Sequence, residues 1–312
     1  MRKISPKCSN TIICNDPHEW KPSNFDDFLK ELEHIKSSCP RNNPLFRGHA
    51  ESKWLLESTF VRNCKKILLG LESYIKPSKE IRKSVEYHQA LFGLLLLKYD
   101  ILVKPNQELE ILEKEQGIDA LFELIKRLQQ YPEEDECVLK GTFFLDWTQS
   151  KNVGLFFTNF DANEQEVKMR DCDGALFICD KTATGNTHMR RDDQPIRVQK
   201  IIELMCERNN KVNQGFGCPL LFYPPKQIHN LRANRQDAIY WAQMDLRHDL
   251  EDIWKLHEKD KNEDEYIFIK LILPDGTQKE CEDYLNSQSP SITHKYLFPE
   301  ENISHKSQQI ST

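Results

Sequence analysis

The fold of this chain is decided by the stretch FFLDWTQSKNVGLFFTNF, which covers residues 143–160. The apolar residues 143–145 predict the end of a buried strand. After a polar step, large apolar residues recur at i, i+3, i+4 and i+7, which predicts an amphipathic helix that begins near Ser150. The four residues of this apolar stripe are Val153, Phe156, Phe157 and Phe160. The stretch therefore predicts a strand that leads directly into a helix.

The polar step between strand and helix carries the side chains of Asp146, Thr148 and Ser150. Hydroxyl and carboxylate groups at such a place satisfy the free N–H groups of a helix, and Asp, Ser and Thr are preferred at the N-cap. The same groups can also bind a ligand, because the N-terminus of a helix attracts anions. The spacing leaves both interpretations open.

Composition and charge narrow the class of protein. Hydrophobic residues make up 38% of the 312 residues and charged residues 29%, which predicts a soluble globular protein of one large or two ordinary domains. The net charge of −6 gives no sign of a general nucleic-acid-binding surface. The first ten residues lack the apolar core of a signal peptide, and no apolar run approaches the roughly 20 residues of a membrane span. We therefore expect a cytoplasmic protein with no membrane partner.

The cysteines and histidines do not form a recognisable metal motif. Ten residues of each type are scattered along the chain, without a CxxC or an HExxH pattern. Structural and catalytic zinc sites need such clustered spacing, and disulfide frameworks belong to secreted chains. We expect reduced, mostly buried thiols and no metal site.

The other elements follow from apolar periodicity, capping residues and turn residues. A glycine directly after Arg47 lets the backbone turn or approach a ligand closely. Acidic and basic residues alternate over 249–265 and predict a solvated helix. In chain order, the sequence further predicts an irregular segment (1–20), a helix capped by Asn24 (24–35), a strand (44–49), a strand and turn (53–62), a helical block (78–130), a buried strand (174–180), a polar loop (181–195), a helix (196–206), strands (219–223 and 266–273), a helix (279–285) and an apolar anchor (296–299).

Four landmarks occur in a fixed order along the chain. They are PLFRGHAESKWLLESTFVR (44–62), FFLDWTQSKNVGLFF (143–157), RANRQDAIY (232–240) and YLFPE (296–300). Together they resemble the FRG domain, a family named for its Phe-Arg-Gly motif. The resemblance implies an irregular N-terminus (1–20), one FRG domain over residues 21–302 with a helical insertion at 78–130, and a polar tail at 303–312.

Three positions depart from the family pattern. Members of the family often carry Gln-His-His-Gly and an Arg before the central Leu-Asp-Trp-Thr, but residues 136–139 here are Glu-Cys-Val-Leu and position 143 is Phe. Ala238 stands where the family usually has Gly. The functions of the family's histidine and arginine are therefore not carried over to this chain.

The resemblance implies an α+β fold similar to that of ADP-ribosyltransferases, with a split or twisted sheet and NAD as the substrate in a cleft. The implied catalytic residues are Arg47, Asp146, Thr148, Ser150 and Gln236. In this arrangement the arginine grips a phosphate with its planar fork, and the hydroxyls orient the nicotinamide ribose. The implied NAD-binding residues are Arg47, Gly48, His49, Trp147, Thr148, Ser150 and Arg232.

The identity of the catalytic acid stays open at this point. The transferase pattern has a Glu where this chain has Gln236, with Asp237 beside it and Asp146 as a further candidate. Resemblance to toxin-type members in bacterial phage defence implies an RNA or protein acceptor and an inhibitory partner such as an antitoxin. Two other function classes remain: a non-catalytic module that binds nucleic acid or protein, and a nuclease or other hydrolase.

Overall fold

The computed structural model describes residues 1, 3–39, 44–103, 139–163, 165–180, 219–222, 231–261 and 265–299. These residues form a mixed α/β structure around one mixed sheet, which agrees with the predicted α+β class. Several sequence predictions lie outside this part of the chain: the loop at 181–195, the helix at 196–206, the tail at 303–312, the sequence change at 136–138 and residues 104–130 of the helical block.

The sheet has eight strands in the order β1-β2-β10-β7-β3-β4-β9-β8. Strands β2 and β10 are parallel, and the other neighbouring pairs are antiparallel. All five strands predicted near Arg47, Leu145, Phe177, Phe222 and Ile269 belong to this sheet, so that prediction is confirmed. The strands are β1 (Ile12–Ile13), β2 (Glu19–Lys21), β3 (Leu45–His49), β4 (Phe144–Thr148), β7 (Gly174–Cys179), β8 (Leu220–Phe222), β9 (Ala238–Ala242) and β10 (Phe268–Leu273), while β5 (Phe160–Ala162) and β6 (Val167–Met169) form a separate hairpin.

The sheet has its fewest paired residues between β3 and β4. Strand β3 pairs with β7 over five residues, and β4 pairs with β9 over five residues. Between β3 and β4 the only paired residues are Phe46 and Thr148. We call this boundary between β3 and β4, with its single paired position, the split.

The helices of the described residues lie around this sheet. Asn24 caps the first helix by accepting a hydrogen bond from Asp27 N at 2.8 Å, and Ser150 caps the helix that follows β4. Both caps confirm the sequence predictions. The helices are α1 (Phe25–Ser38), α2 (Thr59–Leu69), α3 (Lys79–Lys83), α4 (Val85–Val103), α5 (Lys151–Asn159), α6 (Leu231–Arg235), α7 (Leu250–Lys261), α8 (Gln278–Asn286) and α9 (His294–Leu297).

Buried apolar side chains form three clusters around the sheet. On one face, α1, α5 and α8 pack against Phe46, Leu176 and Ile178. On the other face, Trp254 of α7 packs with Trp147 and other residues of the central strands. Helices α2 and α4 form a third cluster with residues of β4 and β9. The described part of the predicted helical block (α3 and α4) thus lies beside the β4 half of the sheet.

Two sequence predictions are wrong and one is incomplete. The described part of residues 1–20 is irregular except for β1 and the first two residues of β2, where Trp20 is fully buried. Residues 53–62 are not a strand and turn, because 53–57 contain no strand and Ser58 caps helix α2, which ends at Gly70. Helix α7 is not merely solvated, because one of its faces, with Trp254 at its centre, is buried against the sheet.

The described cysteines are free thiols, as the sequence predicts. Within the described residues, no helix has both the length and the apolar character that a bilayer span needs. The described residues also contain no group of three or more His, Cys, Asp or Glu side chains placed to hold a metal ion.

Candidate functional site

Arg47 lies on β3 beside the split and reaches across it. Its Nη1 donates a hydrogen bond to the backbone carbonyl of Asp146 on β4, and its Nε donates to Nε2 of His49 at 3.1 Å. Burial lowers the pKa of Arg47 to about 10; the charge of Asp146 opposes this shift and the charge of Arg62 adds to it. The arginine still carries its charge at neutral pH, inside a protein environment that removes much of its hydration.

His49 is a buried neutral ring that holds this arginine. Its Nε2 accepts from Arg47, so its proton resides on Nδ1. Burial, followed by the positive charges of Arg47 and Arg62, holds the pKa of His49 well below its usual value. Within the described residues, Nδ1 is buried and lacks a well-formed hydrogen bond, and the backbone of Trp54 opposes the lowering of the pKa. The resemblance to the FRG family implies that His49 binds NAD. In the structure, His49 is bonded to the guanidinium of Arg47.

Arg62 is a second guanidinium at the site, and the sequence predictions missed it. It is the fourth residue of α2 and is half-buried. Its Nη2 donates a hydrogen bond to Thr59 Oγ1 at 2.9 Å. Burial lowers its pKa, against the opposing charges of Glu57 and Asp161. Its own charge lowers the pKa of both Arg47 and His49, which places the three side chains in one neighbourhood.

The two hydroxyls of the polar step serve the start of α5. Thr148 Oγ1 accepts a hydrogen bond from Ser150 N at 2.9 Å, and Ser150 Oγ accepts from Val153 N at 3.4 Å. Of the two interpretations of this step, the structure shows the capped helix. Each hydroxyl retains its own O–H donor, because capping uses only the oxygen as an acceptor.

Asp146 and Asp237 occupy different positions relative to the split. Asp146 is an exposed residue of β4, and its charge acts directly on Arg47. Asp237 precedes β9 with a φ of 45°, where its backbone carbonyl and its Oδ1 accept from the backbone N and the Nε2 of Gln149, at 3.2 and 3.4 Å. Asp237 thus ties the end of β4 to the start of β9, and Asp146 is the carboxylate near Arg47.

Gln236 and Arg232 hold the last landmark rather than the split. The Nε2 of Gln236 donates to the carbonyl of Leu297 at 3.3 Å, and the guanidinium of Arg232 stacks on the ring of Phe298 at 4.6 Å. The neighbouring Arg235 donates to the carbonyl of Tyr296 at 3.0 Å. These contacts join the RANRQDAIY segment to the YLFPE segment. They give Gln236 and Arg232 structural roles, and the predicted places of both residues in the site stay predictions.

Helix α5 covers Gly48 on the side where other residues carry a Cβ atom, so a ligand has no space there. A Cβ atom at Gly48 would lie 2.2 Å from the carbonyl oxygen of Gly154 and 2.3 Å from the backbone N of Thr158. The glycine therefore lets α5 lie directly on β3. This gives Gly48 a role in helix packing, and its predicted role in NAD binding stays a prediction.

Trp147 lies on the opposite side of β4 from Asp146 and Thr148, because side chains alternate along a strand. Its ring is buried and meets the ring of Trp254 edge to face, with the centroids 5.7 Å apart. The indole N–H groups of Trp147, Trp241 and Trp254 are all buried, and none of them finds a hydrogen-bond acceptor in the part of the chain that the structure describes. The ring of Trp147 is therefore buried against Trp254 and presents no exposed face for the predicted contact with NAD. Trp147 supports the strand that carries Asp146.

The structure thus brings together Arg47, His49, Asp146 and the previously unrecognised Arg62 at one side of the split. Thr148 and Ser150 lie at the end of β4 next to them, while Gln236 and Arg232 contact the C-terminal anchor. Comparison of the chain with protein families, with curated proteins and with solved structures gives no match.

Proposed function

We propose that the chain is an ADP-ribosyltransferase that uses NAD as its substrate and modifies RNA or protein. One observation carries the proposal. Arg47 crosses the split of the sheet, and its two hydrogen bonds go to a backbone carbonyl and a neutral imidazole, neither of which carries a negative charge. A guanidinium oriented in this way can bind a phosphate of NAD through its planar N–H groups.

The reaction breaks the bond between C1′ of the nicotinamide ribose and the ring nitrogen. The bonding electrons go to that nitrogen, so neutral nicotinamide leaves and positive charge develops on the ribose. An oxygen or nitrogen of the acceptor then forms a bond to C1′ and loses its proton. We assign Asp146 to this step, because its charge acts on Arg47 and its carboxylate therefore lies near the site where the phosphate would bind. A negative group there stabilises the developing positive charge.

Thr148 and Ser150 contribute less directly in this proposal. Their oxygens accept hydrogen bonds from backbone N–H groups at the start of α5, so only their O–H donors can reach a substrate. This is also the observation that favours the second candidate, a non-catalytic module that binds nucleic acid or protein. In such a module the polar step would be a capped helix and nothing else.

Incubation with NAD labelled in its adenosine part separates the two candidates. The transferase releases nicotinamide and transfers the label to RNA or protein in a cell extract. An Arg47→Gln variant should lose both signals, whereas Lys66→Gln, which removes one exposed charge from α2, should keep them. Absence of nicotinamide release with every acceptor, combined with RNA binding that weakens steeply with salt, would replace the transferase with the binding module.

We propose that the protein acts as a toxin in bacterial phage defence and that an inhibitory partner restrains its activity. Expression without the partner should then arrest growth of a bacterial host, and Arg47→Gln should relieve the arrest at equal protein level. Growth arrest that persists in Arg47→Gln would separate toxicity from the Arg47 site and contradict this setting.

A further inference from the structure

Helix α2 brings Arg62 to the same strand that Arg47 reaches. Phe60 N donates to the carbonyl of Thr142 at 3.3 Å, and Thr142 lies just before β4. The methyl and Cβ of Thr59 lie so close to Gly141 that a Cβ there would approach within 2.5 Å. Arg62 is fixed to Thr59 by its hydrogen bond at 2.9 Å. The start of α2, to which Arg62 is bonded, therefore lies against the residues just before β4, and Arg47 is bonded to β4 itself at Asp146.

The other well-buried arginines of the described residues each donate several hydrogen bonds. Arg170 uses its Nε and both terminal nitrogens on four acceptors, and Arg247 forms a fork with the carboxylate of Asp245. Arg62, by contrast, donates to one neutral hydroxyl. A guanidinium has five N–H donors, so most of those on Arg62 remain for another partner.

Glu57, the acidic residue nearest to Arg62 along the chain, is already paired with a lysine. The Glu57 carboxylate forms a buried ion pair with Lys65, whose Nζ also donates to the carbonyls of Ser73 and Ile75. Within the described residues, neither Arg47 nor Arg62 forms an ion pair, and the charges of Asp146, Glu57 and Asp161 only partly oppose the effect of burial on them. Positive side chains with reduced hydration and no ion pair are costly unless a negative ligand joins them. Burial lowers the pKa of Arg62 and of Arg47, which is the physical sign of that cost.

We propose that Arg62 and Arg47 together bind two adjacent phosphates, as in the diphosphate of a dinucleotide. Each arginine takes one phosphate, and His49 fixes the orientation of the first. This inference rests on the proposed function for the identity of the ligand, and it adds a residue outside the transferase pattern. A diphosphate suits the site better than a single phosphate, because two separate guanidiniums can then each form a charged hydrogen bond.

Calorimetric titration with ADP-ribose and with inorganic pyrophosphate tests the proposal on the full chain. Arg62→Gln removes the charge and should weaken binding of both probes by about tenfold or more, the usual effect of losing a charged hydrogen bond. Lys66→Gln is the matched control, since it removes a charge one turn further along α2, and should stay within about twofold of the wild type. Arg62→Lys keeps the charge without the fork and should give an intermediate loss.

The outcomes distinguish this inference from the proposed function. Failure of the wild type to bind either probe, or equal affinity of wild type and both Arg62 variants, would overturn the diphosphate site. Binding that depends on Arg62, without nicotinamide release, would support the site and refute the transferase. Nicotinamide release that is unchanged in Arg62→Gln would keep the transferase and refute the role of Arg62. If Arg62→Gln does not fold, as judged by circular dichroism, Arg62→Lys decides.

Discussion

Nε of Arg47 donates a 3.1 Å hydrogen bond to Nε2 of His49, two residues further along the same strand. Arginine has no acceptor, so the imidazole must present a lone pair at Nε2 and carry its proton on Nδ1. Because burial keeps the pKa of His49 well below its usual value, the ring remains neutral at mildly acidic pH. His49 is therefore a constant acceptor that fixes the orientation of the guanidinium.

Arg47→Lys tests whether the planar fork is needed. Lysine keeps the positive charge but cannot donate to both the Asp146 carbonyl and His49 in the same geometry. We expect NAD turnover to fall by about tenfold or more, with a change in unfolding free energy of roughly 1 kcal/mol or less. Turnover assays and thermal melting measure the two effects. A folded Arg47→Lys protein with full activity would remove Arg47 from the site.

Two glycine-to-alanine substitutions should have opposite effects on stability. A Cβ at Gly48 would lie 2.2 Å from Gly154 O, so Gly48→Ala must push α5 off the sheet and should cost about 3 kcal/mol or more. Gly93 lies inside α4, and outside the backbone of that helix no described atom lies within 4 Å of its Cβ position, so Gly93→Ala should stabilise by about 0.5 to 1 kcal/mol. Denaturant unfolding measures both; a Gly48→Ala protein as stable as the wild type would contradict the close packing of α5.

The parts of the fold that could be predicted are those with a complete local pattern. Helix α5 has a capping serine, Ser150, and an apolar stripe with helical spacing, and α1 has the same combination with Asn24. Strand β7 is a run of six buried residues bounded by polar ones. In each case the local preference and the tertiary packing favour the same structure, so the sequence alone is sufficient.

The predictions failed where local preference and packing disagree. Residues 58–62 contain β-branched and aromatic side chains that favour a strand, yet Ser58 and Gly70 are the two caps of α2. Those caps were the signal that could have identified the helix. Because the helix was missed, Arg62 was missed as a site residue too.

Strand β2 could not be predicted for a different reason. It has three residues, which is too short to show an alternating pattern, and it is ordered by pairing with β10 about 250 positions further along. The contact between Arg47 and the Asp146 carbonyl is also invisible in the sequence, since a backbone acceptor carries no residue preference. Long-range partners of this kind emerge only from the folded chain.

Gln236→Ala should act on stability rather than on chemistry. Removing the amide leaves the backbone carbonyl of Leu297 without its hydrogen-bond donor, so we expect the free energy of unfolding to fall by about 1 kcal/mol. Turnover at a temperature where the variant is fully folded should match the wild type. Gln236→Glu is the informative companion, because a carboxylate cannot donate to Leu297 O at neutral pH and should be destabilising to a similar degree. A folded Gln236→Ala protein that has lost turnover would return Gln236 to the catalytic set.

His18 should make the stability of the protein depend on pH. Its Nδ1 contacts Asp16 Oδ1 at 2.8 Å, its Nε2 contacts Glu258 Oε2 on α7 at 2.5 Å, and its ring stacks on Phe268 with the centroids 4.8 Å apart. Burial acts to lower the pKa of His18, but the two carboxylates outweigh burial and raise it. The folded protein therefore binds the proton more tightly than the unfolded chain does.

The sign of the pH effect follows from this raised pKa. A group with a raised pKa stabilises fully below its unfolded value of about 6.5, and the stabilisation is lost as the pH rises through the folded pKa. As the pH rises above about 6.5, the melting temperature should therefore fall more steeply in the wild type than in His18→Gln. His34→Gln is the control and should keep the wild-type slope, because within the described residues the His34 ring is hydrogen-bonded only to the Ser5 carbonyl. Equal slopes in the wild type and His18→Gln would show that this ion pair does not link the N-terminal strands to α7.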